Sequence, residues 1–252
     1  MTTMLPLGKT PARPGAVKLT LSSYLNTAAL PTPPRDFGHD QIPSWGMLGN
    51  DQYGDCVFAG AAHETMLWNA AAGRTVPFDD TAVLGDYSAV TGFTPADPNT
   101  DQGTDMQAAA SYRRKTGVAD TNGTRHQVSA YVALQVGNVK ELLIAAYLFE
   151  TVGIGIKFPR SAMTQFNRGK PWSVVSRSPI EGGHYVPVVG SRNGQLLVVS
   201  WGRVQAMTTG FYRKYCDEAS CYLTAENLTG GKTVEGFDTA ALTADLRAVT
   251  TV

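Results

Sequence analysis

The amino-acid sequence predicts an α+β fold, with helices in the first part of the body and an antiparallel sheet in the second. Proline-free segments that end at glycine, which are typical of helices, come before residue 153. Alternating apolar residues and a strong hairpin signal come after it. Such segregation of helices from strands is typical of α+β folds and disfavours a doubly wound sheet. With 252 residues, the chain is long enough for one large domain of two lobes.

The chain is predicted to begin with an extended arm. Residues 1–45 are rich in proline and show no sustained hydrophobic period, which disfavours helices and central strands. We expect this arm either to lie on the body or to clasp a neighbouring molecule. The body then covers 46–252, with a helical lobe over about 46–152, a sheet lobe over about 153–230 and a C-terminal tail over 231–252.

Three proline-free segments in the predicted helical lobe indicate helices, at 56–72, 105–116 and 138–151. A glycine closely follows each segment, as expected where a helix ends in the left-handed conformation. The third segment begins at Asn138, a good N-cap, and Glu141 stands three residues later as its capping-box partner. We expect Gly153 to close this helix.

The predicted sheet lobe contains four strand signals. Residues 153–158 form an alternating pattern, and two apolar runs at 185–189 and 196–201 flank Asn193-Gly194. Asn-Gly between alternating segments strongly predicts a hairpin turn. Residues 207–216 fit either a short helix or a loop, and 221–224 fit a further strand.

Composition excludes several classes of protein. Lys+Arg and Asp+Glu are 21 each, so no net charge would steer the chain to nucleic acid, and we expect no nucleic-acid partner. No apolar run approaches the ~18–20 residues that a membrane span needs. The first residues lack the apolar core of a signal peptide. We therefore expect no membrane span and no export signal.

Cys56 is the first candidate for chemistry. The three cysteines cannot all pair with one another, and Cys56 follows Gly54-Asp55 at the start of the first predicted helix. Unpaired N–H groups and the helix dipole favour a thiolate there, which would lower the thiol pKa and produce a nucleophile. The alternative is that Cys56 is a small buried apolar residue, a common fate of a free cysteine.

A histidine and a serine mark the two ends of the predicted hairpin. His184 follows Gly182-Gly183 at the head of the first strand, and Ser200 closes the second. Glycines at such positions let another backbone approach closely, so His184 is well placed to face a groove. The alternative is an ordinary structural histidine.

No metal or cofactor is expected. The four histidines and three cysteines show neither Cys-x-x-Cys nor His-x-x-x-His spacing. His63 stands seven residues after Cys56, about 10 Å along a helix, which is too far for direct proton transfer. We interpret His63 as a packing residue of the helix or of the interface between lobes.

The order of these motifs resembles that of papain-like cysteine peptidases, over approximately residues 30–202. In that family the cysteine closes a Gln-x-x-x-Gly-x-Cys pattern, which appears here as Asn50-x-x-x-Gly54-x-Cys56. The family's histidine motif is kept at Gly183-His184 and its Trp-Gly at 201–202. The resemblance implies the papain-like two-lobed fold.

The resemblance also implies roles in catalysis. Cys56 would attack a carbonyl carbon, while His184 holds the proton and delivers it to the leaving amine. The backbone N–H of Cys56 and the side-chain amide of Asn50 would stabilise the oxyanion. Because asparagine is one methylene shorter than glutamine, Gln52 is a rival donor.

One position departs from the family pattern. Val199 stands where the family has the asparagine that orients the histidine, and valine cannot accept a hydrogen bond. The imidazole of His184 then needs another partner, which we expect to be Ser200, Glu181 or a backbone carbonyl.

The chain also resembles a group of bacterial and phage proteins of unassigned function that share a Gly-Asp-Cys helix start, a histidine two turns later and a Tyr-Cys-Asp-Glu segment, here at 215–218. That resemblance brings no known reaction.

Two hypotheses for the function follow from these observations. The first is a thiol hydrolase or transferase that acts on a peptide or protein substrate. The second is a weak or inactive papain-like scaffold in a virion, a homo-oligomer or another assembly, in which the arm binds neighbouring molecules. We expect the protein in the host cytoplasm, or in the virion if a phage encodes it.

Overall fold

The computed structural model of this protein describes residues 4–13, 15–17, 19–23, 32–38 and 42–227. The tail predicted over 231–252 lies outside these residues. Within the described ranges the α-helices are α1 (Cys56–Ala71), α2 (Asp80–Thr91), α3 (Met106–Lys115), α4 (Val139–Leu148), α5 (Arg160–Asn167) and α6 (Thr209–Tyr215). No helix in this part of the chain is both long and apolar enough to cross a membrane.

The sheet lobe is one antiparallel sheet. The strands of the described chain are β1 (Phe37–Gly38), β2 (Val118–Ala119), β3 (Arg125–His126), β4 (Ala130–Ala133), β5 (Val152–Pro159), β6 (Ile180–Arg192), β7 (Gln195–Ser200), β8 (Arg203–Met207) and β9 (Cys216–Leu223). In the sheet they lie in the order β4-β9-β5-β6-β7-β8, and β1 also pairs with β6. A separate hairpin joins β2 to β3.

Two large apolar clusters form the core of the described chain. One lies between the sheet and helices α4, α5 and α6. The other lies between α1, α2 and α3 and includes Tyr185 of β6. The predicted α+β class is confirmed. Strand β4 and helix α4 pack into the cluster of the sheet, so the apolar cores divide the chain earlier than the boundary predicted near residue 152.

Most predicted elements occur at the expected places. The hairpin turn at Asn193-Gly194 has φ of 52° and 75°, the left-handed pair that a type I′ turn needs. Helix α4 begins after Asn138, whose side chain accepts from the Glu141 N–H. Its predicted end is wrong. Glu150 takes a φ of 68° and the chain enters β5 at Val152, so Gly153 lies in a strand and does not cap the helix.

The sequence analysis missed α2, α5, β8 and the short strands β1 to β4. Helix α2 contains a glycine and several β-branched residues, but Asp79 caps its start and Gly92, with φ of 76°, closes its end. Helix α5 has only eight residues and follows directly from Pro159. The segment left open as helix or loop is the end of β8 followed by α6.

The arm is extended where the structure describes its first residues. Residues 4–13 lie on the body, next to α1 and β6. Further along, a short 3-10 helix covers Leu21–Ser23 and β1 pairs with β6. The described start of the arm therefore lies on the body of its own chain.

Candidate active site

Cys56 is the first residue of α1. The loop before it turns sharply at Leu48 and Gly49, which have φ of 57° and 90°, and brings the helix start under strand β6. The Cys56 side chain is only 2% exposed, and its sulfur accepts a hydrogen bond from the Tyr185 backbone N–H at 3.4 Å. The thiol therefore lies between the two lobes.

Burial controls the acidity of this thiol. It raises the pKa of Cys56 to about 12, although N–H groups of Tyr185 and Gly8 act in the opposite direction. The neighbouring carboxyl of Asp55 raises it further. The expectation that the helix terminus would lower this pKa is therefore wrong for the arrangement described here, because the site is desolvated.

His184 lies on β6, one residue before Tyr185, and is 1% exposed. Its Nε2 is hydrogen-bonded to the Oγ of Ser200 at 2.9 Å. The Trp201 ring stacks on the imidazole, with centroids 4.2 Å apart and planes 14° apart. Nδ1 has no hydrogen-bond partner among the described residues. Burial lowers the pKa of His184 to about 3, so the imidazole is neutral at physiological pH.

One small cavity joins these groups. Cys56, His184, Asn50 and Ser200 all line it, together with residues of α1, Val199 and Trp201. The structure thus brings together four of the five candidate site residues. It does not bring Gln52 to the cavity, because that side chain is exposed on the loop before α1.

Asn50 is buried, but its amide already has a role. Its Nδ2 donates to the Tyr53 carbonyl at 2.9 Å and so holds the loop that leads into α1. It also lies beside the buried Asp55 carboxyl, whose pKa burial raises well above its usual range. The sequence analysis did not identify Asp55 as part of this environment.

Val199 and Ser200 have different surroundings. The Val199 side chain packs with Trp45, Leu67 and Val189. Ser200 is the next residue of β7, and successive side chains of a strand point to opposite faces. Of the three partners considered for the imidazole, the structure places Ser200 at His184. Glu181 pairs with Arg160 instead.

His63 lies two turns after Cys56 on α1 and also lines the cavity. Its Nε2 lies 2.9 Å from the Trp45 carbonyl and 3.1 Å from that of Gly46, so this nitrogen is the donor of both bonds. The ring is buried, and burial lowers its pKa to about 4. His63 thus ties α1 to the loop before it, as a packing residue does.

The arm crosses the cleft above the thiol, which the sequence analysis did not foresee. The Lys9 N–H donates to the Gly183 carbonyl at 3.0 Å, and the Gly8 carbonyl accepts from Thr104 N–H at 2.6 Å. Gly8 also lies against Gly54, so near that a Cβ on Gly8 would be 1.6 Å from the Gly54 oxygen. Residues 7–10 therefore lie between the Cys56 side and the His184 side of the cleft.

Part of this arrangement had a signal in the sequence. The glycine pair before His184 predicted that another backbone approaches there. A Cβ on Gly183 would lie 2.2 Å from the Lys9 carbonyl oxygen, so the prediction is confirmed and the approaching backbone is the arm.

Among the described residues no cluster of histidine, cysteine, aspartate or glutamate side chains could hold a metal ion. Cys216 and Cys221 are buried and unpaired, like Cys56.

The comparisons with known proteins concern the fold. No family model matches the sequence, and no curated protein matches it either. Among solved structures, xylellain, a cysteine protease from Xylella fastidiosa, is similar with a TM-score of 0.64 and 14% identity, over 89% of this chain and 98% of that one.

Two further similar structures come from ragweed and from Trypanosoma congolense. The Amb a 11 cysteine protease of ragweed pollen, in its proform, has a TM-score of 0.62 and 12% identity, over 84% of this chain and 65% of that one. The procathepsin B S9 of Trypanosoma congolense has a TM-score of 0.60 and 10% identity, over 87% and 86%. At these identities the likeness concerns the fold alone. The chain therefore has a mixed α+β fold of the papain-like cysteine protease type.

Proposed function

We propose that this protein is a thiol hydrolase acting on peptide or amide bonds, with Cys56 as nucleophile and His184 as general base. The observation that carries the proposal is the shared cavity: the thiol at the start of α1 and the imidazole on β6 face the same small space. The imidazole is held on one side by Ser200, and its other nitrogen has no partner in the described chain.

The positions of the protons on Cys56 and His184 fit this assignment. A neutral His184 that donates its Nε2 hydrogen to Ser200 has a free lone pair on Nδ1, which can accept the thiol proton. The Cys56 sulfur would then attack the carbonyl carbon and form a tetrahedral oxyanion, which the N–H groups at the start of α1 can stabilise. Protonated His184 returns the proton to the leaving amine. Water then hydrolyses the thioester, with His184 again accepting a proton.

The cleft must open before this reaction can occur. Residues 7–10 cover the thiol, and a buried thiol with a pKa of about 12 is a poor nucleophile. Once water reaches Cys56, the desolvation that raises its pKa is removed and the helix terminus favours the thiolate. Two of the similar solved structures are proforms, which supports interpreting the described arrangement as a covered form of the enzyme.

Gly8→Ala is the variant that tests this function. A side chain at residue 8 has no room against Gly54, so the substitution should displace the arm from the thiol. Gly85→Ala is its matched control, because Gly85 lies on α2 with open space around it. We expect Gly8→Ala to hydrolyse a mixed peptide library and to gain the mass of the epoxide inhibitor E-64 at Cys56.

The controls separate catalysis from opening. Cys56→Ala added to Gly8→Ala should abolish both hydrolysis and labelling, and Gly85→Ala alone should behave as the unaltered chain does. An opened chain that neither cleaves peptides nor reacts with E-64 would contradict the proposal. The scaffold hypothesis would then be the better account of the closed cleft.

A further inference from the structure

We propose that the cleft contains a binding pocket for a lysine side chain, filled here by Lys9 of the arm, and that this pocket selects lysine-containing substrates. The selection of substrates rests on the proposed hydrolase function. The pocket itself does not, because it is defined by contacts that the described chain makes with Lys9.

The pocket surrounds the whole Lys9 side chain, which is 1% exposed. At its far end Nζ lies 3.1 Å from an oxygen of Asp217 and 3.1 Å from an oxygen of Glu218, both on β9. The ammonium group also donates to the Thr10 carbonyl at 3.0 Å. A buried ammonium requires such compensation, since an unpaired one would be strongly destabilising.

The walls of the pocket fit an unbranched stem. A Cβ on Gly155 of β5 would lie 2.0 Å from Cε of Lys9 and 2.8 Å from the Met106 sulfur. Glycine at residue 155 therefore leaves the space through which the stem passes. Arg13 of the arm pairs with Asp105, while Lys9 reaches both carboxylates of β9.

The backbone of the arm shows how a substrate could reach this pocket. Lys9 donates its N–H to Gly183, directly before His184, and the Thr104 backbone bonds both neighbours of Lys9. An extended peptide that replaces the arm would find the same backbone donors and acceptors free. Its side chain at the place of Lys9 would then enter a pocket with two unpaired carboxylates. Such a pocket favours a cation and disfavours an apolar or acidic side chain.

The pocket can be tested without turnover. Lys9→Ala in the full chain leaves the two carboxylates without their cation and opens the volume of the stem. We expect n-propylammonium to raise the Tm of Lys9→Ala in a saturable way and to leave that of the unaltered chain nearly unchanged. Neutral n-propanol, of similar size, should not reproduce this effect. Asp217→Asn with Glu218→Gln, added to Lys9→Ala, should abolish it.

A second variant covers the case in which Lys9→Ala does not fold. Gly8→Ala displaces the arm and keeps Lys9 and the pocket residues. We expect this chain to bind the peptide Leu-Gly-Lys-Thr-Pro at least tenfold more tightly than the same peptide with norleucine in place of lysine. Equal responses to propylammonium and propanol, or equal affinities for the two peptides, would overturn the proposal.

The failures of the two proposals are distinguishable. If alkylammonium and lysine peptides bind while Cys56 stays inert after opening, the pocket stands and the hydrolase function fails. If the opened chain cleaves lysine and norleucine peptides at equal rates, the hydrolase function stands and the lysine pocket does not select its substrates.

Discussion

Nε2 of His184 lies 2.9 Å from the Oγ of Ser200, beneath the stacked ring of Trp201. This hydrogen bond fixes the imidazole plane, while Nδ1 is buried and has no hydrogen-bond partner among the described residues. Ser200 is therefore a positioning residue in the proposed mechanism. In the papain-like pattern this role belongs to an asparagine one residue earlier, at the position of Val199.

Ser200→Ala should reduce catalysis more than it reduces folding. Removing the hydroxyl leaves a buried imidazole N–H without a partner, at a cost of about 1–3 kcal/mol in the free energy of unfolding. In the Gly8→Ala chain we expect peptide hydrolysis to fall about tenfold or more, since ~1.4 kcal/mol in the transition state is a factor of ten. Rates measured across pH, with Ser200→Thr as the variant that keeps the hydroxyl, check this. Unchanged rates and an unchanged pH profile would mean that another group holds the ring.

Val199→Asn should not improve the enzyme. Although the papain-like pattern has asparagine there, the side chain at residue 199 packs with Trp45 and Leu67, and Ser200 already holds the imidazole of His184. An amide in this apolar cluster would be poorly hydrogen-bonded, so we expect a loss of about 1–3 kcal/mol in stability and no gain in turnover. A melting curve beside a hydrolysis assay measures both. A gain in turnover at unchanged stability would show that residue 199 can reach the imidazole.

Two buried histidines should make the fold sensitive to acid. Burial lowers the pKa of His63 to about 4 and that of His184 to about 3, both below the ordinary value near 6.5. As pH falls below 6.5 the unfolded chain binds protons at these histidines that the folded chain does not, so their contribution to stability decreases until the folded pKa is reached, while the raised pKa of Asp55 acts in the opposite direction. Each histidine contributes a slope of up to about 1.4 kcal/mol per pH unit.

Urea titrations between pH 7 and pH 4.5 measure this slope, and His63→Gln should reduce it. His126→Gln is the matched control with the opposite sign. Hydrogen bonding to Glu226 raises the pKa of His126, so its contribution is present below its unfolded pKa and is lost as pH rises through the folded one. If His63→Gln left the acid slope unchanged, the buried neutral imidazole would not be its cause.

The sequence was informative where local signals act alone. The N-cap of α4, the Asn-Gly turn and the cysteine at the start of α1 are properties of neighbouring residues, and each was predicted. The glycines before His184 also predicted a close backbone contact, since a residue without a Cβ leaves room for another segment there.

The remaining features depend on residues far apart in the chain. The contact of Gly8 with Gly54, and that of Lys9 with β9, joins segments that no local pattern relates. The same holds for the burial of Cys56, where desolvation exceeds the effect of the helix terminus. A lysine in a proline-rich arm is ordinarily solvated, so its burial could not be predicted without the carboxylates that receive it.

The measurement that tests the central claim most directly is the rate at which iodoacetamide alkylates Cys56 as a function of pH. In the unaltered chain we expect Cys56 to be protected. In Gly8→Ala we expect it to react at least tenfold faster than Cys216 and Cys221, with a midpoint below the ordinary thiol pKa of about 8.5 that rises when His184→Ala is added. If Cys56 stays unlabelled until the opened chain unfolds, or titrates as an ordinary thiol whatever residue 184 is, then Cys56 and His184 are not a catalytic pair.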